Sequence, residues 1–318
     1  MGKVIWILII TAFFAVPVIA QIDSVPSNLL VNTTIRIEGY KDTIIHGVKK
    51  WNTSTGTGFF FMFQIDTLQF ECIVTNRHVV ENFTYGRLKF KVLNKSEHIF
   101  SSVSKTLDIP NFNQQWIFHP DEDLAILPLE PILDRFKKKF QSDVRHVVFA
   151  QNLFPTSMDS LKISCIEKVL MIGYPKGLWD TVNNLPIVRQ GLTATPFFAN
   201  FNGRRRFLID IPTFSGSSGS PVLLYSFDPY FAPNQFVNQD LRVFLLGIVV
   251  ESYNYDALGS LIISRRDPIP NDSLELNRKY QTSTEIPFNL AVVIKSERLN
   301  DFIPLIKSYL DSAKKDSR

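Results

Sequence analysis

The feature that most limits the fold of this chain is a series of short apolar segments that are rich in β-branched and aromatic residues. Each is bounded by Gly, Pro, Asn or Asp, the residues that commonly end strands. Eight such segments run through the sequence, at 57–63, 70–76, 88–93, 124–129, 167–175, 206–212, 220–226 and 242–252. Many short strands with few helical stretches predict an all-β chain built from antiparallel barrels or sandwiches.

Two segments have a helical period instead. After Ser296, apolar residues recur at spacings of three and four, which predicts a helix over 297–312. A shorter helix is predicted over 132–140, where the strand pattern weakens. We therefore expect residues 21–54 to form an N-terminal extension. One half of a single domain (55–318) should span about 55–135, the other about 165–295, and the helix should follow.

The first twenty residues predict a secretory signal peptide. Lys3 precedes an apolar run over 4–18, and Val18 and Ala20 supply small residues for cleavage after Ala20. An uncleaved membrane anchor is the alternative, but the run is short for a spanning helix and Pro17 interrupts it. We expect an exported protein, secreted or periplasmic, that begins at Gln21 and has no stable membrane insertion after cleavage.

Charge and cysteine content exclude several classes of partner. The 318 residues carry 34 basic and 30 acidic side chains, a net charge of +4 without a long basic run, so we expect no nucleic acid partner. Cys72 and Cys165 lie in apolar, strand-like runs and are expected to be unpaired. No cysteine or histidine pair has metal-ligand spacing, so we expect no metal and no cofactor.

The segment SGSSGSP, residues 215–221, is either a flexible loop or a turn that holds a reactive serine. A serine hydroxyl is a weak nucleophile that needs an adjacent base, usually a histidine oriented by a carboxylate. Of the five histidines, His78 directly follows an apolar strand, where a rigid element can aim it. Asp123 directly precedes another apolar strand, unlike its neighbours Asp121 and Glu122. The chain thus offers the order His78, Asp123, Ser218.

These pieces resemble the trypsin/chymotrypsin-fold serine peptidases, especially the bacterial trypsin-like and HtrA-type branch. The matching segments are TGTGF (55–59), VTNRHVV (74–80), DLAILPL (123–129), IGYPKGL (172–178) and GSSGSPV (216–222). The resemblance implies two antiparallel six-stranded β-barrels with the site between them. It also implies a catalytic triad of His78, Asp123 and Ser218, and an oxyanion hole made by the backbone amides of Gly216 and Ser218.

The resemblance implies less about specificity and regulation. It places Thr213, Val250 and Ser252 at the substrate pocket, where a neutral or apolar side chain is expected unless Glu251 turns inward. Ser217 stands where zymogens of the family hold an acidic residue, so we expect activity without further amino-terminal cutting. Only eight residues follow Leu310, so no PDZ domain is expected.

The predicted function is that of an exported serine endopeptidase acting on polypeptides. Two alternatives stay open: a catalytically silent binding module with the peptidase fold, and an acyl or ester hydrolase that uses the same triad. The sequence assigns no role to the two long loops at 226–239 and 253–285.

Overall fold

The computed structural model describes residues 26–45, 48–93, 103–160, 163–226, 230–231, 237–238, 241–260 and 281–316. The predicted signal peptide lies outside the described residues, as does most of the loop at 226–239. Among the helices in the described part, none is both long and apolar enough to cross a membrane.

The first half of the chain forms a nine-stranded sheet that follows the short helix α1 (Pro26–Leu30). Its main path runs β5-β4-β1-β2-β3-β7-β6, while β8 pairs with β4 and β9 pairs with β2. The strands are β1 (Thr34–Ile45), β2 (Val48–Ile65), β3 (Leu68–Thr75), β4 (Tyr85–Val92), β5 (Ser104–Pro110), β6 (Ile117–Phe118), β7 (Ala125–Pro128), β8 (Val144–Arg145) and β9 (Phe149–Ala150).

This sheet departs from the sequence prediction in two respects. It begins at Thr34, because β1 pairs along its whole length with β2; residues 34–45 and 48–54 therefore belong to the sheet and are no extension. Its described path also has two ends, β5 and β6, where the resemblance implied a closed barrel.

The second half forms the closed barrel that the resemblance implied, with strand order β10-β11-β12-β17-β16-β13. Its strands are β10 (Lys168–Gly173), β11 (Ile187–Thr193), β12 (Arg206–Asp210), β13 (Pro221–Ser226), β16 (Arg242–Ser260) and β17 (Gln281–Lys295). A separate two-stranded sheet joins β14 (Tyr230–Phe231) to β15 (Val237–Asn238). The predicted loop at 253–285 is partly strand, since β16 continues to Ser260 and β17 begins at Gln281.

The sheet and the barrel share a hydrophobic core. Successive side chains of a strand point to opposite faces, so Phe59, Phe61 and Phe63 of β2 pack in this shared core, whereas Phe60 packs in the core of the first half. Ile172 and Leu223 enter the shared core from the barrel. Apolar strands buried on both faces thus hold the two halves against each other.

Five α-helices occur in the described residues: α1, α2 (Arg77–Val80), α3 (Glu130–Phe140), α4 (Ser157–Ser160) and α5 (Ile303–Asp316). The helix predicted over 132–140 corresponds to α3. The one predicted over 297–312 begins as a 3₁₀ helix (Ser296–Phe302) and becomes α-helical at Ile303. Its apolar face, Leu299, Phe302 and Ile306, is buried in the shared core. Cys72 is buried and Cys165 exposed, and both thiols are free.

Candidate active site

His78 and Asp123 lie side by side at the ends of two paired strands. His78 is in α2, directly after β3, and the buried Val79 and Val80 anchor that short helix. Asp123 stands just before β7, and antiparallel pairing of Thr75 with Ala125 brings both residues to one end of the sheet. The Nδ1 of His78 lies 2.5 Å from Oδ2 of Asp123, and the His78 amide donates to Oδ1 at 2.9 Å. The carboxylate therefore fixes both the imidazole and its backbone.

The Asp123 carboxylate is ionised in this setting. Burial opposes its charge, but hydrogen bonds from the His78 side chain and from the backbone amides of His78 and Arg77 outweigh that effect. Together they hold the pKa of Asp123 below its usual range. An ionised carboxylate on Nδ1 keeps the proton of a neutral imidazole on that nitrogen. The other nitrogen, Nε2, is then free to act as a base.

Two further residues fix the loop that carries Asp123. Asn76 donates from Nδ2 to the Asp123 carbonyl at 2.8 Å. His119, which was assigned no role from the sequence, is 1% exposed, and its Nδ1 accepts from the amides of Asp121 and Glu122 at 3.0 and 2.9 Å. His119 thus acts on the site through the loop. Its position two residues before the acidic cluster at 121–123 carries no sequence signal for this role.

The neighbouring acids have other partners. Glu122 is buried and accepts from Nη2 of Arg206 at 2.5 Å, and Asp121 lies 3.9 Å from Nη2 of Arg298. Asp123 is therefore the one carboxylate of the three that contacts His78.

The segment SGSSGSP forms a tight turn. Gly216 and Gly219 adopt φ values of +92° and +84°, which favour glycine. A Cβ at Gly219 would lie 2.0 Å from the Thr57 carbonyl oxygen, and one at Gly216 would lie 2.5 Å from that of Tyr174. Both glycines are thus required by backbone conformation and by close packing. Of the turn's serines, Ser217 is buried and Ser218 half-buried.

Thr57 joins this turn to the first sheet, and all its polar atoms are used. Its amide donates to the Ser218 carbonyl at 2.9 Å, and its hydroxyl donates to the Gly216 carbonyl at 2.9 Å. The same hydroxyl accepts from the Tyr174 amide at 3.0 Å, and the Thr57 carbonyl accepts from Thr75 at 2.7 Å. Thr75 ends the strand that leads into His78. Thr57 therefore links the base-bearing strand to the serine turn.

Hydrogen bonds to neighbouring carbonyls orient the two amides of the predicted oxyanion hole. The Lys176 amide donates to the Ser215 carbonyl at 2.5 Å, and the Ser220 amide donates to that of Ser217 at 3.1 Å. The Ser215 carbonyl shares its peptide unit with the Gly216 amide, and the Ser217 carbonyl with the Ser218 amide. Because N–H and C=O point in opposite directions across a trans peptide unit, the Gly216 and Ser218 amides point away from these two hydrogen bonds. Neither amide donates a hydrogen bond within the described part of the chain.

Ser217 supports the same turn without a charge. Its hydroxyl accepts from the Phe214 amide at 3.2 Å, and its amide donates to the Phe214 carbonyl at 2.9 Å. The sequence predicted such neutral support in place of the buried ion pair of zymogens.

Between the described Ser218 hydroxyl and the His78 ring there is no hydrogen bond. The structure thus brings together His78 with Asp123, and Ser218 with the amides, through the shared scaffold of Thr57 and Thr75. Catalytic contacts are often long in active sites without substrate.

A comparison with protein families places residues 56–226, more than half of the chain, within the trypsin-like peptidase domain. The chain belongs to the trypsin-like peptidase family. Among solved structures, the chain is similar to a scabies mite inactivated protease paralogue. The two are 13% identical with a TM-score of 0.36, over 89% of this chain and 96% of the other. No curated protein matches the chain.

The residues that the sequence predicted at a substrate pocket lie on two elements. Thr213 precedes the serine turn and is 2% exposed; its hydroxyl has no hydrogen-bond partner within the described residues. Val250 sits at a bulge of β16 and packs in the shared core, whereas Ser252 is half-buried. Glu251 is exposed, so the inward turn considered from the sequence does not occur. Within the described residues, no three His, Cys, Asp or Glu side chains cluster as a metal site.

Proposed function

We propose that this trypsin-like peptidase is an exported serine endopeptidase that hydrolyses polypeptides with His78, Asp123 and Ser218. The observation that carries the proposal is the double hydrogen bond of Asp123 to the side chain and amide of His78. It occurs at the end of the strand that Thr57 connects to the Ser218 turn. A binding module without catalytic activity would not require a carboxylate hydrogen-bonded to both the side chain and the amide of His78.

In the first step, the Ser218 hydroxyl attacks the carbonyl carbon of the scissile peptide bond while Nε2 of His78 takes its proton. The carbonyl oxygen becomes an oxyanion, and the amides of Gly216 and Ser218 donate to it. Preorganised donors of this kind contribute about 3 to 4 kcal/mol each to transition-state stabilisation. The Asp123 carboxylate stabilises the imidazolium that forms.

In the second step, His78 returns its proton to the leaving amine, and the carbon–nitrogen bond breaks to give an acyl ester on Ser218. Water then attacks the ester carbon while Nε2 of His78 accepts a proton from it. The bond between the acyl carbon and the Ser218 oxygen breaks, His78 returns its proton to that oxygen, and the carboxylic acid product leaves. Asp123 stays ionised throughout, consistent with the lowered pKa of its carboxyl.

A second candidate is the silent binding module, which the missing hydrogen bond between Ser218 and His78 favours. The test is hydrolysis of a peptide pool and of matched esters by the chain that begins at Gln21. We expect cleavage of internal peptide bonds that is abolished in Ser218→Ala, whereas Ser215→Ala retains activity because Ser215 is exposed on the turn. No cleavage of either substrate supports the silent module, and cleavage of esters alone supports the acyl hydrolase.

Export is tested separately by expressing the whole chain and sequencing the amino terminus of the protein recovered outside the cytoplasm. We expect Gln21 as the first residue. Recovery of only the uncleaved chain in the membrane fraction would support the anchor instead.

A further inference from the structure

A cleft lies against the serine turn, and of the segment 212–215 that was predicted to wall the primary pocket it includes Phe214. It has a volume of about 610 Å³, and its lining includes Lys176, Trp179, Arg189 and Phe214. Phe214 is hydrogen-bonded to Ser217, and the Lys176 amide to the Ser215 carbonyl, so the cleft is fixed to the turn. A polypeptide bound at Ser218 can therefore place a neighbouring side chain in this cleft.

Two cations converge in the cleft without a carboxylate. The Lys176 ammonium and the Arg189 guanidinium each lie 5.3 Å from the centroid of the Phe214 ring. Arg189 is further held by a 2.7 Å hydrogen bond to the Pro212 carbonyl. Neither side chain forms an ion pair within the described residues. The cleft thus carries two positive charges that its own lining does not neutralise.

The nearest acid in sequence is directed elsewhere. Asp180 follows Trp179, but its carboxylate accepts from the amides of Val182 and Asn183, both at 3.0 Å, and from the Asn183 side chain at 2.7 Å. Its charge is therefore used to close its own loop. Asp180 therefore does not neutralise Lys176 or Arg189.

The positions of these groups are set by the backbone rather than left to side-chain freedom. Lys176 has φ of +50°, a conformation that a non-glycine residue adopts only when its surroundings require it. Trp179 is stacked by the Arg36 guanidinium, 4.0 Å from the ring centroid. The aromatic walls and the base of the Lys176 side chain are thus preorganised for a ligand.

We propose that this cleft is a subsite that binds a Glu or Asp side chain of the polypeptide substrate, at a position other than the residue whose carbonyl is attacked. The carboxylate pairs with Lys176 and Arg189, and its methylene groups pack between Trp179 and Phe214. The inference deepens the proposed function and rests on it, because it treats the cleft as part of the substrate-binding surface.

The test uses binding, so it does not depend on catalysis. Ser218→Ala protein beginning at Gln21 is titrated with fluorescein-labelled peptide pools that hold either Glu or its uncharged isostere Gln at one fixed position. We expect one position at which the Glu pool binds about tenfold tighter, the size of a charge-assisted hydrogen-bonded contact. In the double variant Lys176→Met/Arg189→Met, the ratio of the Gln-pool Kd to the Glu-pool Kd should fall from about ten to about one. Thermal melting of each variant confirms that it is folded.

The matched control is Lys138→Met, which removes one exposed cation from α3 and should keep the tenfold preference. Equal binding of Glu and Gln pools at every position overturns the inference. So does a preference that survives the double substitution. Tight Glu binding without peptide hydrolysis by the unsubstituted protein would instead refute the proposed function and leave the subsite standing.

Discussion

Replacing Thr57 by Val removes one oxygen from the contact that holds the serine turn to the first sheet. The side chain is fully buried, and Val has nearly the same shape, so the change leaves no cavity. It breaks the 2.9 Å bond to the Gly216 carbonyl and the 3.0 Å bond from the Tyr174 amide, and both partners stay buried. An unsatisfied buried group costs about 1 to 3 kcal/mol, so the two together predict a loss of about 2 to 6 kcal/mol of folding stability.

The same change frees the middle peptide unit of the turn, which lies between the two amides proposed to bind the oxyanion. Removing one oxyanion donor from an acyl-transfer enzyme lowers kcat by about 100- to 1,000-fold. Here the donors stay but lose a restraint, so we expect kcat to fall by about 10- to 100-fold with a small change in KM. Thr57→Ser, which keeps the hydroxyl, should retain most of the activity.

The assay is steady-state hydrolysis together with chemical unfolding. Thr193 offers a matched control within the barrel, because its buried hydroxyl also donates to a carbonyl, that of Cys165, and accepts from an amide, that of Glu167, both at 2.9 Å. Thr193→Val should lose similar stability but little kcat. Equal kcat losses in Thr57→Val and Thr193→Val, or no loss in either, would refute the assignment of Thr57 as a positioning residue.

Three further changes test other parts of the account. Ser217→Asp puts an unpaired carboxylate into the turn at a site 1% exposed, so we expect hydrolysis to fall at least about tenfold, and full activity would contradict neutral support of the turn. Glu167→Ala removes the carboxylate that the buried Arg242 binds at 2.8 and 3.0 Å, and should lower the unfolding free energy in urea by about 3 to 5 kcal/mol; a loss below 1 kcal/mol would contradict this. Burial, aided by Arg145, lowers the pKa of Lys91 to about 8 from 10.5, so unfolded chains bind more protons between those values. As pH increases from 8 to 10.5, the unfolding free energy of the unsubstituted protein should therefore rise by about 2 kcal/mol relative to that of the Lys91→Met variant. A difference between the two proteins that does not change with pH would contradict this.

The strands were predictable from the sequence where apolar residues are dense. They were less predictable where a polar segment is a strand only because it pairs with a neighbouring strand. The run at 57–63 is buried on both faces and was found directly. β1 was missed because only Ile35 and Ile37 mark its inner face in a polar segment. The first ten residues of β17 are largely polar, and pairing with β16 extends the strand through them.

Residues flanked by strong strand signals were also predictable at the site, which is why His78 and Asp123 were recovered as a contacting pair. Thr57 and His119 were not. Thr57 acts through residues 117 and 159 positions away in the chain, and no local pattern reports such contacts. The role of His119 depends on its burial beneath the Asp123 loop, which requires the folded packing.

The most direct test of the account is covalent labelling with a fluorophosphonate, which forms a stable ester only with an activated serine. Protein that begins at Gln21 is incubated with the probe, its intact mass is measured, and the modified residue is located by peptide fragmentation. The account predicts one adduct per chain, on Ser218, and its loss in Ser218→Ala and His78→Ala. No adduct, an adduct on Ser215 or Ser217, or labelling that requires prior trimming between Gln21 and Thr57 would contradict it.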